Sequence, residues 1–265
     1  MSQGKVARDA RLDAAKFGLI VLVIFGHTLE LLKGGSPLLE QVYRFIYMFH
    51  MPAFVFLSGM VSSEVLDARA GRRLIASVLL PLLLFQALLP AWAAHLNDAD
   101  WKYSFVSPYW ILWYLASLFL WKLMLPVLRG SGIPLLLGCF ICLGAGLLPE
   151  IGYAYSLSRT ATFLPFFVAG YIYSLKFGVA LPSPSSRFRL LGGTGALLIV
   201  WMIAKETKDA PIQWLYGSAS YVAMGMESTE GLLFRSLLLI AGAIGLCGFF
   251  SLVPNSKALA ALGRY

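Results

Sequence analysis

This chain is short of charged side chains. They make up 13% of its 265 residues, against about 25% in soluble globular domains. Cysteine is scarcer still, and three residues do not make a disulfide framework. The one close pair, Cys139-x-x-Cys142, has redox spacing but lies inside an apolar run and reads as two packing residues. Motif signatures are missing too. There is no G-x-S-x-G elbow around Ser58, no Walker A sequence and no dinucleotide fingerprint after a strand. No H-E-x-x-H or similar helical spacing occurs, so no metal is expected. Hydrophobic residues, in contrast, fill 59% of the chain, and mean hydropathy is +0.76. Too few polar residues remain to cover a water-soluble sphere. That excludes a soluble domain, and equally a disordered chain, a disulfide scaffold or a collagen-like fibre.

What remains is an all-α, polytopic transmembrane helix bundle, read as a single membrane-embedded domain over residues 1–265. A helix needs ~20 apolar residues to cross ~30 Å of hydrocarbon. Eight runs qualify: 14–32, 42–62, 74–95, 109–127, 133–149, 160–177, 189–205 and 232–253. The first has no small-residue cleavage site and is too long for a signal-peptide core, so it reads as a retained anchor. Basic residues collect in alternate loops: Lys5, Arg8 and Arg11; Arg69, Arg72 and Arg73; Arg129; Arg187 and Arg189; Lys257 and Arg264. The other loops hold Asp98, Asp100, Glu150, Glu206, Asp209, Glu227 and Glu230. This bias places both termini in the cytoplasm, as an even span count requires. It also accounts for the net charge of +8 without a nucleic-acid partner. Pro182-Ser183-Pro184-Ser185-Ser186 reads as a linker, and Gly192-Gly193-Thr194-Gly195 as small-residue helix packing. The long outer loop, 206–231, carries Trp214, Tyr216 and Tyr221, either as interfacial anchors or as a platform for a sugar.

Ionisable groups at membrane depth cost about 2.5–3.5 kcal/mol each on insertion scales, so they need a compensating role. The first two runs hold most of them. Lys16 and His27 are eleven residues apart, ~20° from three full turns. His27 to Glu30 is one turn, and Asp13 to His27 is ~40° short of four turns. Asp13, Lys16, His27 and Glu30 therefore form one polar stripe on an otherwise apolar helix. On the next run, His50 lies at a depth similar to that of His27. An imidazole suits general acid–base work near neutral pH, and Glu30 one turn away is placed to orient His27. Taken alone, a structural seal at the helix contact and a satisfied core histidine remain open readings of the stripe and of His50. Arg72-Arg73 follows the positive-inside pattern and equally suits phosphate groups, which arginine binds by bidentate, charge-assisted bonds.

At these residues the sequence resembles the acyltransferase-3 family of integral membrane O-acyltransferases, within it the fucose 4-O-acetylase-like branch. Leu12-Asp13 through Lys16 to His27 resembles the first-span pattern L-D-x-x-[RK]-x10-H. Phe49-His50-Met51-Pro52-Ala53-Phe54-Val55-Phe56-Leu57-Ser58-Gly59 resembles the second-span F-H-M-P-x-F-x-F-x-S-G. Arg72-Arg73 followed by Pro81 is similar to the basic turn into span three. The stretches 113–121 and 157–171 resemble the branch's WFLLALFLW and LSRT…FLPFFLLGY segments. The resemblance implies a bacterial inner-membrane enzyme that takes an acetyl group from cytoplasmic acetyl-CoA. The acceptor would be a sugar hydroxyl in a surface polysaccharide or lipid-linked glycan. It also implies about two further spans beyond Tyr265.

On this reading His27 is the general base, with Glu30 or Asp13 setting its tautomer and His50 as a further catalytic candidate. Lys16, Arg72 and Arg73 are expected to hold the donor's phosphates, and Arg44, Arg159 and Trp113 the acceptor. His50, Arg44 or Arg159 is also a candidate for stabilising the developing oxyanion. The competing class is a transporter or flippase without covalent chemistry, because intramembrane charges also mark substrate paths. No internal repeat of transporter type is evident in support of it.

Overall fold

A computed structural model describes residues 9–32, 35–65, 67–98, 100–181 and 186–264. Lys5 and Arg8 of the N-terminal basic cluster, and the linker stretch 182–185, lie outside these. Among the described residues every regular element is helical. In chain order they are α1 (Ala10–Leu32), α2 (Pro37–Met60), α3 (Ala68–Leu74), α4 (Leu80–Leu96), α5 (Trp113–Gly130), α6 (Pro134–Ala145), α7 (Leu157–Phe177), α8 (Ser186–Glu206), α9 (Ile212–Tyr216), α10 (Ser228–Leu252) and α11 (Lys257–Leu262).

Each of the eight apolar runs lies on a helix. Among the described residues, four helical stretches are long and apolar enough to cross a membrane: Ala10–Leu32, Ala68–Leu96, Trp110–Gly130 and Ser228–Leu252. The fifth run falls short of expectation. Its helix, α6, has 12 residues, about 18 Å at 1.5 Å per residue, against ~30 Å of hydrocarbon. Gly144 and Gly146 weaken the end of α6, and Pro149 bars its continuation.

The chain divides into two compact units, each assembled from separated segments. The first comprises Met1–Val61, Gly170–Ala210 and Leu237–Tyr265. Here α1 and α2 form a helical hairpin, with Ser36 capping α2 by accepting the Leu38 N–H and Pro37 opening its first turn. Glycines set the close approaches. A Cβ on Gly26 would stand 3.1 Å from the Tyr47 ring, and one on Gly170 would run into the Phe56 carbonyl. At the base of α1, the buried Arg11 donates to the carbonyls of Phe250 (2.8 Å) and Val253 (3.3 Å), which α10 leaves without helical partners.

The second unit comprises Ser62–Ala169 and Pro211–Ser236. Asp67 caps α3 by accepting the Ala70 N–H at 2.6 Å. A π-helical turn, Ile75–Leu79, then carries α3 into α4. Pro81 gives the physical reason. It lacks an N–H for the Ser77 carbonyl and its ring crowds that carbonyl, so the chain widens by one residue there. The unit's core is Trp121, which is fully buried, stacked on Phe167 at 5.4 Å, and donates its indole N–H to the Thr160 carbonyl at 2.8 Å.

Candidate functional site

The polar stripe of α1 exists as two pairs. Lys16 Nζ lies 3.8 Å from Asp13 Oδ1, and His27 Nδ1 lies 3.5 Å from Glu30 Oε2. Asp13 is buried, whereas the His27 and Glu30 side chains keep 29% and 30% of their exposure. The packed face of α1 runs through Leu12, Ala15, Leu19, Gly26 and Leu29, and Ile24, Phe25 and Leu31 lie exposed across the helix. At 100° per residue, Lys16 and His27 fall on the margin between these faces. His27 therefore combines a covered Nδ1 with an approachable ring. Only one of the two expected carboxylates reaches it. Asp13 is fourteen residues away along a continuous helix, ~21 Å, so it belongs to Lys16. A neutral His27 ring with its proton on Nδ1, the nitrogen nearest Glu30, keeps its basic lone pair on Nε2.

His50 is almost wholly buried. Its Nδ1 lies 2.8 Å from the Ile46 carbonyl, one turn back on α2, and its ring meets the edge of Tyr47 at 4.7 Å. Because a carbonyl only accepts, the neutral ring carries its proton on Nδ1 and has none on Nε2. A neutral His50 thus has no Nε2 proton to give a developing oxyanion, contrary to that part of the expectation. Tyr47 links the two histidine positions: it touches Gly26 beside His27 on one side and His50 on the other.

A groove of about 180 Å³ runs along the same hairpin. It is lined by Lys16, Ile20, Phe54, Leu57, Ser58 and Val61. Its walls are apolar, with one cation and one hydroxyl among them. This juxtaposes the Lys16 of the first-span pattern with the Ser58 of the second. Arg44 has another setting. Its guanidinium donates to Glu40 Oε1 (2.9 Å) and to the carbonyls of Thr207 (3.1 Å) and Ala210 (3.0 Å), just beyond the C-terminus of α8. With 6% exposure, it closes the end of α8 and has no surface to offer an acceptor.

In the second unit, Arg72 and Arg73 are exposed in the last turn of α3. Arg159 and Trp113 come together as expected, and the structure adds two partners. The Arg159 guanidinium carbon lies 5.0 Å from the Trp113 ring centroid, 5.1 Å from that of Tyr153 and 6.0 Å from that of Tyr216. Of the three loop aromatics considered as a sugar platform, only Tyr216 joins this cluster. Trp214 is fully buried and donates to the Phe234 carbonyl, and Tyr221 is buried and donates to the Leu143 carbonyl at 2.8 Å.

Sequence reasoning passed over Arg235, inside the last apolar run. It is 1% exposed, beside the Tyr221 ring, with Nη2 donating to the Ala219 carbonyl at 3.2 Å. Its Nε and Nη1 have no hydrogen-bond partner among the described residues. The signal was legible, since an arginine inside an apolar run is a functional candidate by default. All three cysteines are free thiols, and Cys142 packs with Sγ 3.4 Å from the Thr162 carbonyl.

Comparison with known proteins places this geometry in context. The acyltransferase-3 family, described as an acyltransferase domain, matches residues 9–265. Nodulation protein NolL of Sinorhizobium fredii is 29% identical over 191 residues, covering 65% of this chain and 50% of that protein. Nodulation protein NolL of Mesorhizobium japonicum is 34% identical over 125 residues, covering 40% and 33% respectively. The matched stretch thus spans half the length of these curated relatives or less. No solved structure matches the chain.

Proposed function

We propose, because this chain belongs to the acyltransferase-3 family, that it is a membrane O-acyltransferase of the bacterial inner membrane. It moves an acetyl or other acyl group from cytoplasmic acetyl-CoA to a hydroxyl of a surface polysaccharide or lipid-linked glycan. The observation that carries the chemistry is the His27–Glu30 pair, which follows a wholly apolar stretch of α1, residues 17–26.

His27 Nε2 takes the proton of the acceptor hydroxyl as its oxygen forms a bond to the acyl carbon. Glu30 holds the ring through Nδ1 and stabilises the imidazolium that results. The bond from acyl carbon to sulfur then breaks, and His27 returns the proton to the leaving thiolate. General-base assistance of this kind contributes typically 10²–10⁴-fold. The groove beside Lys16 fits the donor's slender thioester-bearing arm: apolar walls accept the arm's methylenes, the oxygen of Ser58, whose hydroxyl donates to the Phe54 carbonyl at 3.0 Å, can accept an amide N–H, and Lys16 offers a cation to a phosphate. Arg72 and Arg73, exposed in the last turn of α3, are cations suited to phosphate groups. The cluster of Arg159, Trp113, Tyr153 and Tyr216 suits a glycan, whose hydroxyls take guanidinium hydrogen bonds and whose apolar ring faces stack on aromatics. His50, locked as a neutral ring beside Tyr47, serves as a positioning residue for the hairpin.

Purified protein in nanodiscs, given radiolabelled acetyl-CoA and envelope glycan, tests the reading. The expected result is glycan-dependent release of CoA thiol with label appearing on the glycan. Movement of glycan across proteoliposomes with no CoA release would overturn it in favour of a transporter.

A further inference from the structure

The second unit contains a cavity of about 260 Å³ that the chemistry above does not use. Its walls come from the π-helical turn (Leu79), α4 (Leu83), α5 (Ala116, Phe119) and the segment preceding α5 (Phe105, Pro108), with Tyr155 at one side. The one amide on its surface, Gln86, is committed elsewhere. Gln86 Nε2 donates to the carbonyls of Ser104 (2.7 Å) and Ser107 (2.9 Å), and its Oε1 accepts the Tyr109 N–H at 2.8 Å. What faces the space is therefore hydrocarbon and aromatic ring. The space is a half-open groove along which Leu83, Phe105 and Tyr155 are exposed, and its volume and apolar lining suit a run of alkyl or prenyl chain.

The cavity shares its wall with the Arg159 cluster. Ala116 lines the cavity and Trp113, one turn earlier on α5, stacks on Arg159. Tyr155 lines the cavity and Tyr153, two residues before it, also meets Arg159. Pro108 lines the cavity and its carbonyl accepts the Tyr153 hydroxyl at 3.0 Å. Both shared segments are strained: Trp110 before α5, and Tyr155 and Ser156 before α7, hold positive φ, at 38°, 50° and 59°. Such conformations persist only where surrounding structure enforces them.

We propose that this cavity and the Arg159 cluster form one amphipathic site. A hydrocarbon tail occupies the cavity, and an anionic phosphate-bearing head is held at Arg159 among the three aromatic rings. The acceptor is then a lipid-linked sugar presented from within the bilayer, not a free polysaccharide. The inference rests on the acyltransferase reading for what happens to that lipid afterwards, but the binding itself does not.

Photo-labelling of the full chain in nanodiscs tests it, with a phosphate-headed lipid probe carrying a diazirine in its tail. Mass spectrometry is expected to find label on the stretches containing Leu79–Leu83 and Ala116–Leu120. Filling the cavity from either wall, by Ala116→Phe or by Leu83→Trp, is expected to cut labelling about tenfold, and Arg159→Gln to weaken the probe's apparent affinity by about the same factor. Retained labelling in both filled variants would overturn the proposal. So would equal labelling by a probe with an uncharged head, which means bulk lipid only. Displacement by palmitoyl-CoA but not by the unlabelled phosphate-headed lipid would overturn it as well, since the cavity would then serve the donor's chain. Because labelling needs no acyl transfer, normal labelling in a protein that transfers no acyl group would refute the enzymatic reading and leave this site standing.

Discussion

Replacing Arg44 by Lys separates two roles that the sequence left open, acceptor binding and closure of a helix end. The guanidinium spans three acceptors: Glu40 Oε1 and the carbonyls of Thr207 and Ala210. An ammonium keeps the charge and loses the fork, so it reaches one of the two carbonyls and not both. Hydrogen bonds from a charged donor contribute roughly 1.5–3 kcal/mol each, and a buried carbonyl left without a partner costs about 1–3 kcal/mol. Retained charge near the C-terminus of α8 offsets part of that loss. The expected cost is therefore about 2–3 kcal/mol. At roughly 2–4 °C per kcal/mol for a chain of this size, the unfolding midpoint in detergent should fall on the order of 5–10 °C, with the KM for the glycan acceptor unchanged below the transition. An unshifted midpoint together with a raised acceptor KM would refute the reasoning and return Arg44 to the acceptor site.

Three further outcomes follow from the geometry. Gly170→Ala drives a methyl group into the Phe56 carbonyl; a loss of about 1–3 kcal/mol should appear as a lower midpoint and reduced detergent-stable yield, and an unaffected protein would refute the close approach. Glu30→Gln keeps the size of the side chain and removes the charge 3.5 Å from His27, so kcat should drop roughly 10–100-fold with little change in KM; a change confined to KM would contradict an orienting role. Burial pushes the Tyr221 phenol above its ordinary pKa, with Arg235 pulling the other way. The stability this group confers is thus full below about pH 10 and lost as pH rises through the folded value. Tyr221→Phe should give up about 1 kcal/mol near neutrality through loss of the Leu143 bond and show a flatter stability profile above pH 10. Parallel alkaline profiles would refute this.

Composition and hydropathy made the helical, membrane-embedded build legible, because a bilayer leaves few solutions for an apolar chain. The His27–Glu30 and Lys16–Asp13 pairs were legible for a similar reason: partners one turn apart on one helix need no knowledge of the fold. What periodicity hides is anything built from distant segments. Trp113, Tyr153 and Tyr216 surround Arg159 from three separate stretches, and no local pattern joins them. Arg44 looked like a ligand for the acceptor because the chain does not announce that α8 ends beside it. The length of α6 was overread because an apolar window does not register two glycines and a proline as a stop. The π-helical turn before Pro81 and the cavity held open by Gln86 likewise emerge only in three dimensions.

The central claim is that the ring on α1 carries the proton in acyl transfer. It is tested most directly by His27→Gln, assayed for CoA release and glycan labelling at matched amounts of inserted protein. The account predicts a fall of about 10²-fold or more in kcat, with membrane insertion and unfolding midpoint close to those of the parent. Near-parental transfer by that variant would contradict it.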